Sequence, residues 1–520
     1  MAQPTASEQL MLELVNRARL DPAAEAARTG VGLNDGLTSG SIDSSSKEPL
    51  VVNYDHVNSA RQHSEYMFQN GLEPSTNGEN VSGRYLGGST NIKTTVSKQH
   101  ADLFKNATAR YNLLNESFTQ VGIGQVLGDY GPDNRDASFI TQQFLTGGPI
   151  YLTGVVYNDI DGDGFYSGGT GQNKEGRSGV DVAVGGPPID TMTEGGYRLA
   201  TSAGTRTISI GTAELRATIV NENAKIDLIN GNHIDSSVSI ELLSNVKSAR
   251  LLGTNDLSLK GSSASETLTG NKGDNALDGK GGNDTIRGGS GEDTIRGGSG
   301  NDRLYGDSGA DNIIGEDGDD FIDGGSSSDI LRGGAGMDAM IGGTGNDKLY
   351  GDADVDNMTG GDNNDLVDGG SGGDTLRGGS GDDQLIGGSG NDFLLGESGV
   401  DRLYGGSGKD QLTGGSSGDT FIYKATSEST MSTRDSILDF SRSAGDKVDL
   451  SAVDANTKVS GNQTFTWIGE NNYTGKAGEF RITHSGSDIV VYGDTNGDKA
   501  SDFSIHFDNL ESLYKSDFLL

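Results

Sequence analysis

Sixteen aspartates follow one another at intervals of nine residues: Asp284, Asp293, Asp302, Asp311, Asp320, Asp329, Asp338, Asp347, Asp356, Asp365, Asp374, Asp383, Asp392, Asp401, Asp410 and Asp419. Two residues after each stands an apolar side chain, from Ile286 to Phe421. A carboxylate at fixed spacing is a hard oxygen ligand at fixed spacing. No cysteine is present to offer sulfur, and the six histidines, at 56, 63, 100, 233, 484 and 506, lie outside the repeating frame. Oxygen-only ligation suits a cation that takes six to eight oxygens, hence calcium; magnesium would demand stricter octahedral geometry.

The elements that must position these carboxylates are short. Seventeen nine-residue units run from Gly270 to Ile422 without an insertion, as in GGSGNDRLY from Gly297. Glycines at the first, second and fourth places permit tight turns with positive φ. The apolar eighth residue is the inward side chain of a very short strand, and the aspartate at place six faces the next turn. LGTNDLSLK and GSSASETLT, just before, are weaker versions in the same frame. GGSSSDILR, GDADVDNMT and GGDNNDLVD lack the glycine at place four, and their sites are expected to be weak or empty. One apolar residue in nine cannot offset the chain entropy of folding. Metal binding must supply the rest, so the calcium-free repeats are expected to be largely disordered. Sixteen divalent ions would add +32 to a net charge of −36.

Composition agrees. Glycine contributes 84 of 520 residues, and 75 Asp and Glu face 39 Lys and Arg. That balance excludes nucleic acid as a partner, since phosphate binding needs a basic face, and disfavours anionic membrane surfaces. The absence of cysteine removes disulfides, thiolate zinc sites and a cysteine nucleophile together. MAQPTASEQLMLELVNRARL has no basic segment followed by an apolar core, so it does not read as a secretory leader. No apolar run is long enough to span a membrane.

The pattern G-G-x-G-x-D-x-U-x resembles the RTX, or hemolysin-type, calcium-binding repeat. This resemblance implies a parallel β-roll with two nonapeptides per coil and calcium between successive turns. DSILDFSRSAGDKVDLSAVD, from Asp435, resembles the region that caps the roll in serralysin-type proteins. GDTNGDKASDFSIHFDNLESLYKSDFLL resembles their uncleaved export signal. Together these imply export of the unfolded chain by a type I ABC exporter and folding in millimolar extracellular calcium. Asp494, Asn496 and Asp498 have the spacing of a further calcium loop, although Lys499 stands where such loops usually carry glycine.

A second metal loop is NDIDGDGFYSGG, in which Asp159, Asp161, Asp163 and Gly164 match the first half of an EF-hand-type loop. Thr170 holds the twelfth place, so helix-loop-helix is not expected, and Glu175 is the candidate to fold back as the missing ligand. The arrangement resembles calcium-bearing immunoglobulin-like modules of bacterial adhesins.

Residues 1–148 read as mixed α/β. Thr5 and Glu8 make a capping box before the apolar face Leu10, Met11, Leu14, Val15 and Ala18. Asp21-Pro22 starts a helix that Gly30 stops. Further helices are expected over about Asp55–Asn70 and Thr95–Lys105, and strands at FTQVGIGQVLG and ASFITQQFL. LMLELVNRARLDP, SARQHSEYM, GEN at Gly78–Asn80 and RYNLLNESFTQVGIG resemble bacterial members of the CAP (SCP) superfamily. This implies an α/β/α sandwich with a central cleft that in many members holds two histidines and acidic residues. Glu79 matches the family glutamate, but EPST (Glu73–Thr76) and Ala109 stand where the histidines would be. A metal cleft is therefore not expected.

No H-E-x-x-H occurs, and GGSGG at Gly369–Gly373 meets the G-x-S-x-G pattern only in the frame of the repeats, so no catalytic role falls to Ser371. The chain is not expected to be an enzyme. Four regions follow: a CAP-like domain at 1–148, an immunoglobulin-like β-sandwich with calcium loop and lead-in strands at 149–250, the β-roll solenoid at 251–422, and a β-rich capping and export region at 423–520. The whole reads as an extracellular, secreted or surface-associated calcium-binding protein whose first two domains bind a cell-surface, lipid or matrix ligand. Two alternatives stand beside it: a matrix or surface-layer protein that self-assembles with calcium, and a secreted hydrolase with an unrecognised site.

Overall fold

The computed structural model describes residues 5–35, 37–38, 41–53, 56–57, 59–64, 79–85, 92–130, 135–146, 149–158, 176–192, 195–220 and 222–520. The chain forms two compact units, Met1–Ala276 and Leu277–Leu520.

In the first unit, helix Ala6–Leu20 begins with the expected box: the Glu8 amide donates to Thr5 Oγ1 at 3.3 Å and the Thr5 amide to Glu8 Oε2 at 2.8 Å. Its apolar face is fully buried. Helix Pro22–Thr29 starts from Asp21 and stops at Gly30, whose φ of +72° is left-handed. Helices Ile92–Lys105 and Ala107–Leu114 follow, and residues 56–57 and 59–64 are helical. Beside them lies a four-stranded sheet in the order Val51–Val52, Phe118–Tyr130, Arg135–Thr146, Glu79–Tyr85. The buried Arg19 guanidinium ties helix to sheet by donating to the carbonyls of Glu48, Leu113, Asn115 and Phe118 at 2.6–3.1 Å. A charge taken out of water needs such a full set of acceptors.

Strand Tyr151–Tyr157 runs antiparallel to Gly196–Ala200 and parallel to Ala224–Ile229. Its Val155 and Tyr157, with Ile229, share one hydrophobic core with the helices. A second, antiparallel set joins Asp181–Val184, Gly204–Ile210, Ala213–Ile219 and Ile240–Ser244. From His233 the pairing changes: His233–Ser236, Ser248–Leu251 and Thr267–Thr269 lie parallel in series, and Ile240–Ser244 lies parallel to Ser258–Lys260. Parallel stacking thus begins ahead of the first recognisable nonapeptide.

In the second unit alternate nonapeptides enter alternate sheets, and every pairing within the repeats is parallel with an offset of eighteen residues, as in Ile286↔Leu304 and Ile295↔Ile313. The eighth-place side chains, Leu277 to Phe421, are at most 1% exposed. Strand Asp435–Ile437 then continues one sheet from Gln411–Ser416, and Lys447–Asp449 continues the other from Thr420–Ile422. They pair in turn with the C-terminal strands Phe503–Phe507 and Phe518–Leu519. An aromatic cluster that includes Trp467, Phe480 and Phe518 fills this end. Among the described residues, no helix is long and apolar enough to cross a membrane.

Candidate metal centre

Each repeat aspartate spans two turns of the coil. From Asp302 onward its Oδ1 accepts the backbone amide of the aspartate eighteen residues earlier, from Asp284 N–H to Asp302 (2.7 Å) through to Asp401 N–H to Asp419 (2.9 Å). Its Oδ2 has no hydrogen-bond partner in any of the sixteen. All sixteen side chains are buried, at most 4% exposed. A buried carboxylate oxygen without a donor is costly, and a ladder of sixteen would not persist without something to face them.

The first-place glycine leaves that oxygen free of a clash with a side chain. A Cβ on Gly306 would stand against Asp311 Oδ2 and the Gly324 carbonyl, well inside van der Waals contact. The same holds at Gly297 with Asp302 and the Gly315 carbonyl. Carboxylate and carbonyl oxygens therefore converge where a side chain is missing, which is a donor set for a hard cation. Among the described residues no three His, Asp or Glu side chains form a cluster. A cation here must draw on one carboxylate per turn and on backbone carbonyls, as the repeat spacing implies. The residues fit calcium: the aspartates would hold it by Oδ2 and the turn glycines by their carbonyls, and its charge would replace the missing donors.

The electrostatics point the same way. Burial pushes Asp356 up to about 8; the Asp338 amide opposes this, and the charges of Asp338, Asp374 and Asp354 add to it. Asp311, Asp320, Asp329, Asp365, Asp392 and Asp419 rise to about 7 for the same first reason. Without a cation these carboxyls hold protons near neutrality.

The units that lack a fourth-place glycine still take a positive φ there, though a smaller one. Ser327, Asp354, Asn363 and Ser417 adopt φ of +88°, +74°, +78° and +86°, against +106° to +158° for the glycines at this place from Gly282 to Gly408, and the Oδ2 atoms of Asp329, Asp356, Asp365 and Asp419 are as unpartnered as the others.

Asp494, Asn496 and Asp498 lie in a loop closed by its own amides. Asp494 accepts from Asn496, Gly497 and Lys499 at 3.2, 2.6 and 2.9 Å, and Asp498 Oδ1 accepts from Ala500 at 2.7 Å. Asn496 donates to Asp502. Lys499 takes the left-handed φ, +70°, that a glycine would usually supply. Asp159, Asp161, Asp163 and Glu175 lie outside the described residues. Glu79 opens the strand Glu79–Tyr85, and its side chain lies outside them too. Its neighbour Asn80 is fully buried, donates to the Ala109 carbonyl and Gln142 Oε1 at 3.1 and 3.0 Å, and accepts from Asn112 at 3.0 Å. The GEN and RYNLLN segments thus meet.

Two aspartates escape the nine-residue frame. Asp435 and Asp446 each accept the amide of the last repeat aspartate in their sheet, Asp410 and Asp419, at 2.9 and 3.0 Å. The available signal was the local D-x-apolar triplet, Asp435-Ser-Ile437 and Asp446-Lys-Val448, with Ile437 and Val448 both buried.

Compared with known proteins, residues 260–421 match the family "RTX calcium-binding nonapeptide repeat (4 copies)" in seven stretches. No curated protein matches the chain. Thirty-six chains of solved structures match. One is the solution structure of the AlgE6R3 subunit from the Azotobacter vinelandii mannuronan C5-epimerase: 26% identity over 31% of this chain and 80% of that one, with a TM-score of 0.19. Residues 260–421 are therefore RTX calcium-binding nonapeptide repeats wound into a β-solenoid, and calcium is the ion they bind.

Proposed function

We propose that this is a secreted protein whose roll folds only where calcium is millimolar, having left the cell unfolded through a type I exporter. The sixteen buried Oδ2 atoms without a donor carry this reading, because they make the folded roll unfavourable until a cation arrives. Support for export comes from the C-terminal segment that resembles an uncleaved signal and from the absence of cysteine in the 520 residues.

The N-terminal region is proposed as a non-catalytic CAP-like domain that binds a surface or matrix ligand. The meeting of Asn80, Ala109, Asn112 and Gln142 supports that kinship. The loop with Asp159, Asp161, Asp163 and Glu175 is proposed as a separate calcium site. An antiparallel bridge between Tyr157 and Gly176, described residues on either side of that segment, supports it.

Circular dichroism and sedimentation of the full chain, titrated from metal-free buffer to about 10 mM calcium, test the proposal. A cooperative gain of β structure with compaction supports it. A roll already folded without metal, and indifferent to calcium, contradicts it.

A further inference from the structure

Strand Ala224–Ile229 sets Asp227 directly opposite Asp235 of His233–Ser236, and Asp235 lies in register with Arg250 of Ser248–Leu251. Two carboxylates facing each other across neighbouring strands destabilise a sheet unless something offsets them. Lys225, two residues before Asp227 and so on the same face, pairs with Asp227 and, at 2.7 Å, with Glu13 of the first helix. Arg250 Nε donates to Asp235 Oδ1 at 3.0 Å. Asp227 Oδ1 also accepts the Val155 amide at 2.8 Å. The three acids and Lys225 are buried. Burial pushes the Asp227 carboxyl up against the pull of Lys225. Burial, then the charges of Asp227, Asp235 and Glu13, raises the neighbouring Tyr157 phenol.

These groups floor a cavity of about 460 Å³ inside the first unit, a size usual for small-molecule sites. Leu20, Leu251 and Leu252 give it apolar walls. Arg17, Arg28, Arg250 and Lys272 also line it, so four cations gather at one cavity of a chain whose net charge is −36. The Arg28 and Lys272 side chains are 49% and 52% exposed and form the rim. Arg28 pairs with Glu25 through Nη1, and Lys272 with Asp21 at 2.8 Å. A guanidinium has five N–H donors and an ammonium three, so both keep donors for a ligand.

We infer that this cavity binds an acidic saccharide, its anionic group held by Arg28 and Lys272 and its hydroxyls donating to the carboxylates of Glu13, Asp227 and Asp235. A cationic rim calls for a negative charge on the ligand. Carboxylates offer only acceptors and call for donors. Each floor acid already has a basic partner, so the floor suits neutral hydroxyls better than an ammonium. A sugar ring bearing a carboxylate or a sulfate supplies both, and its apolar face suits the leucine walls. The inference rests on the ligand-binding role proposed for the N-terminal region and names the class of ligand. None of the lining residues belongs to the GEN or RYNLLN segments.

The test is calorimetric titration of the full chain, in saturating calcium, with digalacturonate, lactose monosulfate, lactose and glutamate. One or both charged sugars are expected to bind, more weakly as salt rises, and to bind more tightly than neutral lactose or zwitterionic glutamate. Which of the two binds tells a carboxylate ligand from a sulfate one. Arg28→Gln and Lys272→Gln are each expected to raise Kd about five- to tenfold. Both side chains lie at the rim, so circular dichroism in calcium should be unchanged. Tighter binding of lactose or glutamate overturns the ligand class. A sugar affinity that neither rim variant moves overturns the cavity as its site. If neither charged sugar binds, the assignment falls. Retention of the full chain on insoluble matrix material would then show that the wider ligand-binding role survives, and its absence that both fall.

Discussion

Arg287 Nη1 donates to Asp307 Oδ1 at 2.6 Å, one coil turn and two residues along the chain. The relation recurs at Arg296–Glu316, Arg332–Asp352 and Arg377–Glu397, always twenty residues apart, at 2.9, 2.9 and 3.5 Å. In each pair the acid occupies the second place of its unit, at φ between +68° and +80°, where most units carry glycine. Every arginine at a ninth place is used this way, and every acid at a second place is its partner. The pairs are exposed, so each contributes only about 0.2–1 kcal/mol. That is comparable with the strain of a left-handed side chain, roughly 1 kcal/mol.

Asp307→Gly should therefore be nearly neutral, since relief of strain offsets the lost ion pair. Asp307→Ala keeps the strain and loses the pair, and should lower stability by about 1 kcal/mol. Denaturant unfolding in saturating calcium distinguishes them; equal losses in both variants would refute the compensation.

Gly306→Ala puts a methyl group where Asp311 Oδ2 and the Gly324 carbonyl converge. Overpacking of this kind costs about 1–3 kcal/mol, and here it also obstructs the cation. The calcium midpoint for folding should rise several-fold. Alanine at the exposed Gly186, where a Cβ would meet only the Val184 carbonyl at 4.0 Å, is the matched control and should leave the midpoint unmoved.

The pH dependence has opposite signs with and without metal. Burial raises Asp311, Asp320 and Asp365 to about 7 in the calcium-free fold, against about 4 in an unfolded chain. A raised folded value means the fold holds more protons than the unfolded chain. That contribution is complete below pH about 4 and is lost as pH rises through about 7. Metal-free protein should thus gain β structure on acidification from pH 8 to 5. With calcium present, protons compete for the same oxygens, so the calcium midpoint should rise over that range. Dichroism across pH in metal-free and calcium-containing buffer reads both; a calcium midpoint independent of pH would refute the carboxylate assignment.

Asn80→Ala should destabilise the first unit by about 2–4 kcal/mol, because it removes the donor to Gln142 Oε1 and an acceptor of the Asn112 amide, both buried. The calcium midpoint of the roll should stay unchanged. A shift of that midpoint by the variant would mean that the repeats do not fold by themselves.

How much of this was legible in the sequence follows from how local each signal is. The roll was legible because one turn is eighteen residues and each half repeats the same chemistry, so Asp302 and Leu304 announce their roles by frame alone. The ends of the roll were not. Asp435 and Asp446 do the work of a sixth-place aspartate after insertions that break the frame. The parallel stacking from His233 onward has no glycine or aspartate period to reveal it. At the fourth place Asp354 and Asn363 also take a positive φ, so residue identity understated how far the turn accepts a side chain. In the first unit the capping box at Thr5 and Glu8 was legible, being contained in four residues. The Arg19 anchorage was not, because its acceptors lie 29 to 99 residues away.

The most direct measurement is the number of calcium ions bound by the folded full chain, by equilibrium dialysis with radioactive calcium at neutral pH. One ion for each repeat carboxylate with an unpartnered Oδ2, sixteen in all, is the predicted count. Asp320→Asn and Asp356→Asn should each lower the count while leaving the acceptor for the preceding amide in place. A roll that is fully folded with only two or three ions bound would contradict the account.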